Sequence, residues 1–160
     1  MRWLATILLV VALTACGGDG GTLSDEGVRE PTIPPDAYRD RITEVIIEPT
    51  IAAIRQVSTL IAAAIPQPGL LTTDTWLADF DAGVTMWQDV HATAQALNPP
   101  TMYEDAHAAL LKGTACLSDA GDQLRQILDS STPMDTSASE LVFGCAQLID
   151  AATREIDAVP

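Results

Sequence analysis

Two histidines and three cysteines are the residues of this chain whose types and spacing could do chemistry. His91 and His107 lie equally far on either side of Pro99. If helices run into and out of a turn at Pro99, both imidazoles fall in one layer of the hairpin. With a carboxylate from Glu104 or Asp105 they would make a divalent-metal site. Met86 and Met102 sit in the same two segments and could serve a soft metal or haem. The opposing reading is structural: both histidines fall on apolar stripes, where an imidazole commonly bonds a carbonyl or a tyrosine inside the core. No Glu-x-x-His occurs, which removes the di-iron carboxylate signature. No Cys-x-x-Cys-His occurs, which removes covalently attached haem. Gly-x-Ser-x-Gly, the phosphate loop and His-Glu-x-x-His are also missing from the sequence. No catalytic residue and no cofactor is assigned, and a non-enzymatic protein is expected.

The third cysteine, Cys16, has a different setting. Arg2 is followed by an apolar run from Trp3 to Leu13 that closes on small residues, the plan of a secretory signal peptide over residues 1–15. The run is shorter than the ~20 helical residues that cross a bilayer. Leu13-Thr14-Ala15-Cys16 resembles the lipobox of bacterial lipoproteins. That resemblance implies cleavage before Cys16 and a diacylglyceryl group on its thiol. It also implies an extracytoplasmic chain held by lipid on the outer face of the cell membrane, or at the outer membrane of a diderm. Residues 16–35 follow as a flexible tether, rich in Gly and acid and then in Pro. The stretch Pro99-Pro100-x-x-Tyr103-x-x-x-His107-x-x-Leu110 is similar to a pattern in helical bacterial lipoproteins, and implies a shared fold without an activity.

The chain carries 8 Lys and Arg against 22 Asp and Glu, a net charge of −14. Removing residues 1–15 takes away Arg2 alone, and 7 minus 22 leaves −15. A phosphate backbone would be repelled, so no nucleic acid is expected as a partner. An anionic membrane surface is disfavoured as well, leaving the lipid as the membrane contact. Residues 36–160 suffice for one domain with a real core.

Four helical segments position the chemistry. The first spans about residues 36–65, with apolar residues at Tyr38, Ile42, Val45, Ile46, Ala53, Ile54, Val57, Leu60, Ile61 and Ala64. Pro49 removes a backbone donor and should kink or split that helix. The second, about residues 73–97, carries Leu77, Phe80, Val84, Trp87, His91 and Ala94 on one stripe. Thr101-x-x-Glu104 reads as a capping box for the third, which runs to Asp129 with a stripe of Tyr103, His107, Leu110, Thr114, Leu117, Gly121, Leu124 and Leu128. Thr132 and Pro133 read as the start of the fourth, whose stripe is Ala138, Leu141, Cys145, Leu148, Ala152 and Ile156. Short connections predict an all-α, antiparallel up-down four-helix bundle.

In the hairpin of the third and fourth helices, Cys116 precedes Asp129 by as many residues as Cys145 follows Thr132. The two cysteines should therefore sit at one height, and a Cys116–Cys145 disulfide is predicted in an exported chain. The combined expectation is a membrane-anchored envelope lipoprotein whose bundle serves protein interaction or a structural role. The alternative is a binding module for a metal, haem or small ligand at His91 and His107.

Overall fold

The computed structural model describes residues 33–130 and 132–160. The signal peptide read over residues 1–15, the lipobox with Cys16, and the tether up to residue 32 lie outside the described residues. Four helices make up nearly all of what is described, and no strand occurs among the described residues. They are α1 (Pro35–Ala64), α2 (Asp74–Ala96), α3 (Glu104–Asp129) and α4 (Thr136–Ala158).

Helix α1 starts where its sequence says it should. Pro34 is extended (ψ 143°), Pro35 opens the first turn and Asp36 places acid beside the positive end of the dipole. Pro49 neither stops nor divides the helix. In a regular α-helix its ring would collide with the carbonyl four residues back. Residues Thr43–Ile47 widen instead into a π turn, and the Glu48 N–H reaches the Thr43 carbonyl five residues behind. Backbone angles at Ile47 (φ −67°, ψ −52°) and Glu48 (φ −61°, ψ −49°) stay helical through the passage. Thr50 donates its hydroxyl to the Ile46 carbonyl at 2.6 Å. The expected kink is thus absorbed as a π turn.

The starts of the other helices depart from the sequence signals. Thr73 holds the N-cap position of α2, but its hydroxyl donates back to Leu70 at 2.9 Å, closing a 3-10 turn over Pro68–Thr72. The capping box at Thr101 and Glu104 does not form. Residues Thr101–Tyr103 wind as a 3-10 turn, and α3 begins only at Glu104 with no side-chain cap. Helix α4 starts at Thr136, later than the Thr132-Pro133 signal. Asp135 caps it, accepting the Ser137 N–H at 2.8 Å. A carboxylate accepts that bond better than the Thr hydroxyl three residues earlier, so the start moves to the stronger cap.

The core runs through the middle of all four helices: Ile42, Ile46, Val57 and Ile61 from α1, Phe80, Val84 and Trp87 from α2, Leu110, Leu117 and Leu124 from α3, and Val142, Ile149 and Ile156 from α4. Each such side chain contributes about 1.5–3 kcal/mol on burial. Trp76 and Phe80 stack with ring centroids 5.1 Å apart, and the Trp76 indole N–H reaches the Leu60 carbonyl at 3.1 Å. The stripe of α2 is rotated from the expected one. Trp76, Gly83 and Val90 are buried, while Leu77 is exposed and His91 half-buried. In α4, Val142 and Ile149 take the core places expected of Leu141 and Leu148.

Contacts between neighbouring helices fix their registers. A Cβ on Gly83 would lie 2.5 Å from Val57, and one on Gly121 2.5 Å from Val84. Farther along, Arg125 pairs with Asp81 at 2.6 Å. Gly113 lies against Ile149, where a Cβ would come within 3.2 Å of the Ile149 backbone nitrogen. Numbers rise on one helix as they fall on the next. Cys116 and Cys145 are joined as a disulfide between α3 and α4, with Cα atoms 5.4 Å apart.

Candidate functional site

The polar chemistry inside the bundle gathers at one end, around Tyr38, Arg39, Tyr103 and His107. The sequence of the α2–α3 connection places it. Leu97 and Pro100 are extended (ψ 135° and 149°), and Tyr103 closes the 3-10 turn with its N–H on the Pro100 carbonyl at 2.8 Å. Tyr103 and His107 then stand one turn apart on the same inward face of α3. Tyr38 and Tyr103 are fully buried and His107 is 5% exposed. The two phenol rings meet at 5.2 Å between centroids, tilted by 49°.

The protons in this cluster can be assigned. The Ala94 backbone lies beside the His107 ring and favours its protonated form, an effect that burial outweighs. Its Nδ1 lies 2.7 Å from the Tyr38 hydroxyl. A neutral imidazole has one donor and one acceptor, so Nδ1 accepts and the Tyr38 O–H donates. Burial holds His107 below its usual value. Burial, helped by the neighbouring Tyr103 phenol, raises Tyr38. The pair is therefore neutral around pH 7, with Nδ1 of His107 engaged by Tyr38.

Arg39 extends the cluster to the last helix. Its Nε donates to the Tyr103 hydroxyl at 3.0 Å, and its guanidinium also donates to the Val159 carbonyl just past α4. Residues from α1, the end of α2, the start of α3 and the segment after α4 are thereby tied in one layer. A buried hydrogen bond of this kind contributes about 0.5–1.5 kcal/mol net, and an unmatched partner costs more. What the arrangement can do chemically is hold four helix ends in register.

The two histidines do not share a site. His91 is level with Thr114, whose hydroxyl lies 3.0 Å from His91 Nδ1 and itself donates to the Leu110 carbonyl at 3.1 Å. With its hydrogen so used, the Thr114 oxygen accepts from His91. Thr114 is two turns beyond His107 on α3, about 10 Å along the axis. The layer expected from the spacing around Pro99 fails because the connection is not a tight turn. Its extended stretch and 3-10 turn displace the start of α3, so His91 pairs with a later residue. Met86 and Met102 are 42% and 44% exposed, and turn no thioether into the core. Among the described residues no group of three or more His, Cys, Asp or Glu could hold a metal ion. The surface groove of about 390 Å³ walled by Met102, Asp105, Glu155 and Val159 includes neither histidine.

The sequence missed Tyr38 and Arg39 as partners of this cluster. The available signal was a Tyr-Arg pair in the first turns of the first helix, in a chain with only 2 Tyr, but no local pattern links residues 69 positions apart. Trp87, buried in the core, keeps its indole N–H without a hydrogen-bond partner. No protein-family model, curated protein or solved structure matches the chain.

Proposed function

We propose that the protein is a non-enzymatic, lipid-anchored envelope lipoprotein, in which the helical bundle works outside the cytoplasm in protein interaction or a structural role. The observation that carries this reading is the joining of Cys116 to Cys145. Disulfides persist in oxidising compartments, where the lipobox-like Leu13-Thr14-Ala15-Cys16 would deliver the chain. Removing Cys16 from the count leaves an even pair, and that pair is bonded. The net charge of −15 without residues 1–15 keeps the bundle off anionic lipid and nucleic acid alike. The internal polar groups support a structural reading of the bundle. Nδ1 of His107 is engaged by Tyr38, and Nδ1 of His91 by Thr114.

The test is Cys16→Ser in the full chain. The expected outcome is loss from the membrane fraction and loss of lipid mass from the N-terminal peptide. Retention of the Cys16→Ser chain in the membrane fraction, or an unmodified Cys16 in the natural chain, would overturn the anchoring.

A further inference from the structure

A shallow groove of about 430 Å³ runs between α1 and α4, walled by Ile54, Ser58, Glu140, Val142, Phe143 and Ala146. Phe143 stands 64% exposed at its edge, the most exposed of the large apolar side chains described. Beside the groove on α1, Ile51 and Ile54 are half-buried, and Ala52 is exposed. This face also differs in charge from the rest of a chain at −14. From Pro49 to Ala64 the sole charged residue is Arg55, which is exposed, and the groove wall carries the single carboxylate Glu140. Neither Arg55 nor Glu140 takes part in an ion pair among the described residues.

We propose that this face is the docking surface for a second copy of the chain, related by a twofold axis. A projection and a hollow lie side by side on it. That is what an isologous pair needs, since each Phe143 can then enter the other copy's groove. The charges select the same occupant. Most other faces of two copies would set carboxylate against carboxylate. Here Arg55 of each copy can meet Glu140 of the other across the rim, where neither charge has an ion-pair partner among the described residues. An anionic bilayer would meet Glu140 and the net negative charge, and is disfavoured. The inference deepens the protein-interaction reading above by naming the partner. It is tested without reference to the anchor, so a failure of the Cys16 experiment and a failure here are read separately.

The experiment co-expresses two differently tagged full-length copies, with benzoylphenylalanine replacing Ala146 in one, and irradiates intact cells. The expected product is a crosslink joining the two tags. Phe143→Asp, at an exposed position, should lower its yield about tenfold or more, as for loss of an aromatic anchor. Arg55→Glu and Glu140→Arg should each lower it several-fold, and the two together should restore it. The charge exchange also discriminates if Phe143→Asp disturbs folding. A crosslink only to lipid or to a different protein, a two-tag product indifferent to Phe143→Asp, or a charge exchange that fails to restore the yield would each overturn the proposal.

Discussion

The Tyr38 hydroxyl donates to Nδ1 of His107 at 2.7 Å, joining the first turn of α1 to the first turn of α3 inside the core. With the Ala94 backbone on the same ring and Arg39 reaching from Tyr103 to Val159, the contact belongs to a layer that closes one end of the bundle.

Tyr38→Phe removes the donor and leaves the buried Nδ1 unpaired. The expected loss of unfolding free energy is about 1–3 kcal/mol. Tyr38→Phe combined with His107→Leu should cost less than the sum of the single changes, because the orphaned acceptor is then gone. A double-mutant cycle by urea unfolding measures the coupling, expected at about 0.5–3 kcal/mol. Additive costs would show that the bond contributes nothing specific.

Acidification should weaken the fold through His107. Its ordinary value of 6.5 is lowered in the folded protein, first by burial. The unfolded chain therefore binds a proton that the folded protein resists, and stability rises with pH across that window. The contribution is complete above about pH 6.5 and is lost as pH falls toward the lowered folded value. Thermal unfolding between pH 7 and pH 5 should show a steeper decline for the natural protein than for His107→Gln, which keeps hydrogen-bonding groups without titrating in this range. Parallel curves would refute the assignment.

Asp135 acts in the same sense at lower pH. Its side chain accepts from the Ser137 hydroxyl and backbone, which holds the carboxyl below its ordinary value of 3.8. Its contribution is present above that value and is lost as pH falls through the lowered one. Asp135→Ala should lower the melting temperature at pH 7, and the difference from the natural protein should shrink in strong acid.

The disulfide closes a loop over a sequence separation of 29. Replacing both Cys116 and Cys145 by Ala should lower stability by about 3–4 kcal/mol. Alkylation of unfolded, unreduced protein should find neither thiol free. Labelling of either residue would contradict the pairing.

Two glycines should respond in opposite directions. A Cβ at Gly113 would lie 2.8 Å from Ile149 Cδ1 and 3.2 Å from its backbone nitrogen, so α3 and α4 would have to part. Gly113→Ala is expected to cost about 1–3 kcal/mol. Around Gly144 nothing lies within 4 Å. Gly144→Ala should therefore stabilise α4 by about 0.5–1 kcal/mol through backbone entropy alone. Denaturant midpoints of the two variants decide it.

Much of the fold was legible in the residues. Apolar steps of three and four marked all four helices, and the cysteine count with equal offsets from one turn marked the disulfide. Exact helix starts were less legible, because competing caps lie within a few residues of each other. Asp135 prevailed over Thr132 only once the whole α4 register was set. The candidate site was read half correctly. His107 is a buried residue of the α3 stripe, as the periodicity indicated, but its partner is Tyr38 rather than His91.

The sequence by itself determined the helical period, the uneven charge, the lipobox-like start and the even cysteine pair, because these depend on residue type and short spacing. Tertiary structure decided which residues meet. The π turn ahead of Pro49 let α1 run on to Ala64, and the extended Leu97–Pro100 stretch shifted α3 by two turns against α2. Those offsets come from backbone geometry in the connections, where one displaced turn moves a side chain by about 5 Å and exchanges its partner. That is why His91 found Thr114, His107 found Tyr38, and Phe143 was left outside the core.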